Sequence, residues 1–196
     1  MRKMENKISQ FILNRRLAQV KRYHNTPLQQ NENVAEHTFY VTIIARALCG
    51  LLEESGTKIN TLEVMEKAMV HDMEEMFSGD ILQPFKYSDP ELKHLLDKIN
   101  EKSIEKAFEG LPDKLAVHFK SLWSDYHESG KIEDKIVKIA DRLSLIAYCI
   151  EQIKLGNRFM IEILENGLRQ LKNHEFEWLN PIISDIETEK KKLIER

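Results

Sequence analysis

Apolar side chains recur every three or four residues along almost the whole chain, and no segment of useful length alternates apolar with polar in steps of two. A 3.6-residue period turns one stripe of each segment inward, so the pattern predicts an all-α fold, a bundle of packed amphipathic helices. The 196 residues carry 42% hydrophobic against 31% charged side chains, which is enough apolar material for one helical core. No Pro-, Gly- or Ser-rich tract divides them, so residues 1–196 read as a single domain.

Local signals divide the pattern into helices. A first helix is expected over about residues 4–20, followed by a polar loop through Asn33 and a long helix from Val34 to Glu54. Asn60 with Glu63 three residues on has the look of a helix start, and that helix is expected to run through Met73 or a little further. Ser78-Gly79-Asp80 ends it, and Ser88-Asp89-Pro90-Glu91 opens the next, with capping-box spacing and an early Pro. Leu111-Pro112-Asp113 begins another, Lys131 to Leu155 forms a long helix closed by Gly156, and two more complete the chain.

Charge and cysteine usage narrow the setting. A net charge of -3 supplies no general field for DNA or RNA, and Lys190-Lys191-Lys192 lies among Glu187, Glu189 and Glu195 as a solvated face. The longest uncharged stretches fall far short of the roughly 20 residues of a membrane span. MRKMENKISQF lacks the apolar core of a signal peptide, and Cys49 and Cys149 sit in apolar helical stretches as core thiols. These features point to a cytoplasmic protein with no nucleic-acid polymer and no membrane as partner.

Three apolar stripes carry polar residues that a core would reject. Projected as a helix, Met65, Met69, Asp72 and Met76 form one row, with His71 beside it in a row with Val64, Ala68 and Glu75. His37 stands in a row with Val41, Ile44, Leu48 and Leu51, and Asp141 in a row with Val137, Leu145 and Tyr148. An inward carboxylate is costly unless a cation or several hydrogen bonds compensate it. Imidazole and carboxylate are suitable donors for a divalent metal, and two of each leave positions for water and substrate. Taken singly, His37 could be a hydrogen-bonded core histidine and Asp141 the partner of adjacent Arg142.

The order His37, His71-Asp72, Asp141 resembles the H…HD…D pattern of the HD-domain metal-dependent phosphohydrolases. Arg22-Tyr23, Glu32-Asn33-Val34-Ala35-Glu36-His37, and His71-Asp72-Met73-Glu74-Glu75-Met76-Phe77-Ser78-Gly79-Asp80 through Pro84-Phe85-Lys86-Tyr87 are similar to the YfbR-type 5′-deoxynucleotidase branch. The resemblance implies an all-helical HD domain, commonly a homodimer, that removes phosphate from nucleoside 5′-monophosphates, chiefly deoxyribonucleotides. It implies one divalent metal on His37, His71, Asp72 and Asp141, with Mn, Co, Fe, Ni, Zn or Mg all compatible with such donors. Glu75 would then be the catalytic acid/base, Arg22 the phosphate clamp, and Tyr23 and Asp80 the lining of the sugar site. At the Tyr23 position a member of the branch carries Trp, a position implicated in rejecting the ribose 2′-hydroxyl. Glu74, beside Glu75, is expected to face solvent. Two alternatives remain at this point: another small phosphate ester as substrate, or a regulatory module that binds metal or nucleotide without turnover.

Overall fold

The computed structural model describes residues 2–128 and 130–194, and among them the only β pairing is a single antiparallel bridge between Lys21 and Asn33. The helices are α1 (Arg2–Leu13), α2 (Val34–Glu54), α3 (Thr61–Val70), α4 (Glu75–Ser78), α5 (Gln83–Lys86), α6 (Pro90–Ala107), α7 (Asp113–Glu128), α8 (Ile132–Lys154), α9 (Met160–Lys172) and α10 (Asn180–Ile194). The fold is all-α, as the periodicity predicts.

Helices α2 and α8 pack against one another at the centre, with α3 beside both, α9 on the far side of α8 and α7 against α3. Their shared core holds Val41, Ala45 and Leu48 of α2, Val64 and Ala68 of α3, and Ile136, Val137 and Ala140 of α8, with Cys49 and Cys149 as buried free thiols. A second apolar cluster of Val70, Ile104, Phe108, Leu122 and Trp123 joins the end of α3 to α6 and α7.

The predicted caps are in place. Asn33 accepts from the Glu36 N–H at 3.0 Å while the Glu36 carboxylate accepts from the Asn33 N–H at 2.9 Å, a reciprocal box that starts α2 one residue before His37 completes its first turn. Asn60 caps α3 through the Glu63 N–H, and Asp89, rather than Ser88, caps α6 through the N–H groups of Glu91 and Leu92. Gly79 adopts φ +73°, which only glycine enters without strain, and turns the chain sharply into Asp80.

Two helices are shorter than the periodicity predicts. The first ends at Leu13, where Asn14 Oδ1 accepts from the Arg16 N–H and leads into a 3₁₀ turn over Arg16–Gln19. The third ends at Val70 instead of Met73. There the His71 ring donates from Nδ1 to the Ala68 carbonyl at 2.8 Å, competing for the acceptor that an unbroken helix would offer to the Asp72 N–H. The break also corrects the stripe: the buried row of α3 is Val64, Lys67, Ala68 and then His71, while Met69 is 44% exposed.

Lys67 is the unexpected member of that row. Its fully buried ammonium meets Asp134 of α8 and, at 2.8 Å, Glu63. Removing Asp134 leaves Glu63 as the remaining partner, so the pairing of the ammonium is weakened rather than lost, at a cost of roughly 1–3 kcal/mol. Asp134→Ala is expected to lower the unfolding free energy by about that amount in urea denaturation, with the denaturant slope unchanged.

Candidate active site

The site forms where the first turn of α2, the break after α3 and the middle of α8 converge. His37 Nε2 lies 3.1 Å from Asp141 Oδ1 and 3.7 Å from Asp72 Oδ2, and His71 Nε2 lies 3.0 Å from the same Asp72 oxygen. The donor atoms of His37, His71 and Asp72 all fall within 4.8 Å of one another. Both rings are fixed from behind, His37 Nδ1 at 3.1 Å from Ser144 Oγ and His71 Nδ1 on the Ala68 carbonyl. The Asp141 carboxylate therefore meets His37, and the adjacent Arg142 is not what holds it.

The donors fit a divalent cation. His37 Nε2 and His71 Nε2 are buried yet lack a hydrogen-bond partner of acceptable geometry, although carboxylate oxygens stand at salt-bridge distance. Buried nitrogens of that kind aimed at shared space are expected where an ion belongs. Burial, reinforced by Arg22, lowers the His37 pKa to about 4 and keeps its imidazole neutral. His71 behaves oppositely: burial works against its charge, but Asp72 prevails and raises it to about 9. Despite burial, His71 holds Asp72 ionised well below the usual carboxylate range, and His37 brings Asp141 down to about 2.

Arg22 and Tyr23 reach this cluster from the segment that crosses between α1 and α2. The Arg22 N–H donates to the Glu32 carbonyl at 3.0 Å and its guanidinium Nε stands 3.2 Å from the Glu32 carboxylate. Burial opposes the Arg22 charge, yet Tyr23, Glu32, Asp141 and Asp72 keep it firmly protonated. Tyr23 is the only described non-glycine residue at positive φ, +52°, a conformation that costs about 1–2 kcal/mol. Its N–H donates to Asp80 Oδ2 at 3.0 Å, its ring stacks on Tyr148 at 6.0 Å between centroids, and Arg22 lies over its face at 5.5 Å. The strained turn thus sets guanidinium, aromatic ring and carboxylate side by side.

One cleft of about 1360 Å³ is lined by Arg22, Tyr23, Asp72, Glu75, Asp80 and Asp141 together. All eight expected site residues gather around it, with His37 and His71 beneath its floor. Burial, then Asp72, Asp80 and Glu74, push the Glu75 carboxyl well above its usual range, against Arg22. Glu74 departs from the expectation that it faces solvent. It is only 4% exposed and accepts from Trp123 Nε1 at 2.7 Å, because the break after Val70 rotates residues 71–74 away from the α3 register. Glu32 and Ser144 are supporting residues that sequence reasoning left without a role. Ser144, three residues after Asp141 on an otherwise apolar stripe, carried a visible signal; Glu32, in a polar loop, did not.

Helical architecture and a His/Asp cluster at the junction of three helices define an HD-domain phosphohydrolase fold. A solved HD-domain phosphohydrolase from Listeria innocua superposes with a TM-score of 0.69 at 24% identity, covering 98% of this chain and 87% of that one. The HD phosphohydrolase DatZ of cyanophage S-2L, solved with dA and one catalytic Zn²⁺ ion, superposes at 0.57 and 17% identity over 92% of this chain and 94% of its own. The family model described as 5′-deoxynucleotidase YfbR-like matches residues 10–186. A 5′-deoxynucleotidase of Yersinia pseudotuberculosis is 31% identical over 169 residues, 83% of this chain and 85% of the relative. The chain belongs to the YfbR-like 5′-deoxynucleotidase family.

Because the His71 proton must leave before Nε2 can bind a cation, Mn²⁺ affinity is expected to rise close to tenfold per pH unit between about pH 7 and 9 and then level off. Calorimetric titration across that range checks it, and His71→Ala is expected to abolish tight binding.

Proposed function

We propose that this protein hydrolyses deoxyribonucleoside 5′-monophosphates to nucleoside and phosphate, with a divalent cation held by His37, His71, Asp72 and Asp141. The observation that carries the reading is the cleft in which a guanidinium, the donor group of His37, His71 and Asp72 with Asp141 3.1 Å from His37, and a carboxyl of raised proton affinity come together. Nitrogen and oxygen donors of this kind accept Mn, Co, Fe, Ni, Zn or Mg. Once bound, the cation supplies Lewis acidity toward a phosphoryl oxygen and a more acidic water.

The remaining chemistry belongs to the side chains. Arg22, oriented by Glu32, offers a fork of N–H donors to the phosphate oxygens and keeps its charge at any working pH. Glu75 retains its proton and gives it to the departing sugar oxygen as water adds to phosphorus and the P–O5′ bond breaks. The carboxylate left behind takes the proton released by the attacking water, which restores the acid. Phosphate monoesters are among the slowest of biological substrates to hydrolyse unaided, so charge stabilisation and proton delivery both act on the rate.

Tyr23 and Asp80 line the sugar side. The Tyr23 ring contacts Tyr148 and Arg22, and Asp80 is held by the Tyr23 N–H, contacts that support a fixed wall against an additional hydroxyl. Exposed Phe39, Tyr40 and Ile43 on one side of α2 support a homodimer. No described helix is long and apolar enough to cross a membrane, and a cytoplasmic nucleotide pool supplies substrates of this class.

Phosphate release from dAMP with Mn²⁺, Co²⁺ or Mg²⁺ tests the reading; metal binding without turnover of any deoxyribonucleoside monophosphate would overturn it. Glu75→Gln is expected to lower kcat by about 10²–10⁴-fold while metal content stays that of the wild type. Tyr23→Ala is expected to reduce the preference for dAMP over AMP, as the ratio of kcat/KM values, by about tenfold or more.

A further inference from the structure

Arg22-Tyr23 stands at the mouth of a loop whose ends are closed by the Lys21–Asn33 bridge and by the Arg22 N–H on the Glu32 carbonyl at 3.0 Å. A loop of this kind has no helix or sheet of its own to hold its shape, so its tip must be fixed from outside. The fixing comes from α8 and the turn after it. Asn157 Nδ2 donates to the Pro27 carbonyl at 2.7 Å, and Gln152 Oε1 accepts from the Gln29 N–H at 3.0 Å. The Gln30 carbonyl accepts from both Gln152 Nε2 and the Tyr148 hydroxyl, each at 2.8 Å. Gln152 is fully buried, and Asn157 Nδ2 also donates to its Oε1 at 3.1 Å, so the two amides are paired with one another as well as with the loop.

Tyr148 holds the loop twice. Its ring stacks on Tyr23 at 6.0 Å between centroids, and its hydroxyl reaches Gln30 on the returning arm. Tyr148 and Gln152 follow Asp141 on one face of α8 by about two and about three turns. One helix therefore carries Asp141 at one level and the anchor of the Arg22-Tyr23 loop at another. Their neighbours on that stripe, Val137 and Leu145, are apolar, and buried polar side chains among them are costly unless hydrogen-bonded. The bonds they make go to the loop backbone and to Asn157. Neither residue lines the cleft, whereas Arg22, Tyr23, Asn25 and Thr26 of the loop do, so any effect on substrate passes through the loop.

We propose that Tyr148 and Gln152 are positioning residues for the substrate clamp: by docking the 24–31 loop on the helix that carries Asp141, they fix Arg22-Tyr23 relative to the donor cluster before substrate arrives. The proposal rests on the reading of Arg22 as the phosphate clamp and adds two residues that act through it. A clamp on an undocked loop has to be ordered by the substrate itself, and that ordering weakens binding. The phosphate is held in ground state and transition state alike, so the loss enters KM and leaves kcat nearly unchanged.

Steady-state kinetics on dAMP with Mn²⁺, together with hydrogen exchange of the peptide covering residues 24–31, tests it on the full chain. Gln152→Leu keeps the volume, removes the bonds to Gln29 and Gln30, and is expected to raise KM about tenfold while kcat stays within about threefold of the wild type. Its Mn²⁺ affinity is expected to match the wild type, and its loop to exchange faster in the free protein. Tyr148→Phe keeps the stacked ring and loses only the hydroxyl bond; it is expected to raise KM by about threefold and serves if Gln152→Leu folds poorly. Faster loop exchange with KM unchanged, or Mn²⁺ affinity lost in step with KM, would overturn the positioning role. Calorimetry with inorganic orthophosphate on the Mn²⁺-loaded protein needs no turnover, and weaker binding in both variants is expected there too. Failure of the wild type to hydrolyse dAMP would count against the proposed reaction, while the orthophosphate comparison still decides the role of Tyr148 and Gln152.

Discussion

The site depends on one hydrogen bond, from His71 Nδ1 to the Ala68 carbonyl. It fixes the tautomer that presents Nε2 to Asp72, and it lies at the point where α3 stops. Had α3 continued in register, Asp72 would have stayed in line with Met65 and Met69 on a half-exposed face. Instead, a tight turn in which the Met73 N–H reaches Val70 and the Glu75 N–H reaches Asp72 swings three acidic residues out of the α3 register. A local contest for one carbonyl thereby places Asp72 on the donor cluster, Glu74 under Trp123 and Glu75 on the cleft wall.

This contest also marks where the sequence stops being legible. Helices α2 and α8 follow from periodicity and caps nearly to the residue, because long amphipathic segments with strong end signals leave little for tertiary structure to override. The positions of His37 and Asp141 followed from those helices. Asp72 stands out in the sequence through a stripe that the fold does not bury, and reaches His37 and His71 only through the break after Val70. The periodicity of residues 61–76 is continuous, and nothing in it reveals that a side chain will interrupt the backbone ladder. Glu74 was misplaced for the same reason. The expected first helix over 4–20 failed at Asn14, where a short polar side chain offered the backbone another partner.

The segment around Arg22 shows a different limit. Its residues lie in a polar stretch with no period, yet it is held by a bridge from Lys21 to Asn33, by the Val34 N–H on the Val20 carbonyl and by the buried pairing of Arg22 with Glu32. Tyr23 is forced into a left-handed conformation by these restraints, and its N–H fixes Asp80 across the cleft. The strain has a local use. It sets a guanidinium and an aromatic ring side by side on the cleft from one dipeptide, a placement that propensity does not reveal.

The charges around the cleft connect stability to ligation. Asp72, Glu74, Glu75, Asp80 and Asp141 surround it; Asp72, Glu74 and Asp80 raise the proton affinity of Glu75, and Asp141 that of Arg22. In the absence of a cation, the burden of neutralising them falls on Arg22 and on a proton retained by His71, while Glu74, pushed to about 7 by burial and Asp72, is only partly ionised near neutrality. A divalent ion held by His37, His71 and Asp72 would supply, in place of the His71 proton, twice the positive charge beside Asp72. The same acidic cluster that resists desolvation in the ion-free fold is therefore what gives the ion its affinity, and ion binding stabilises the native state through the residues that hold it.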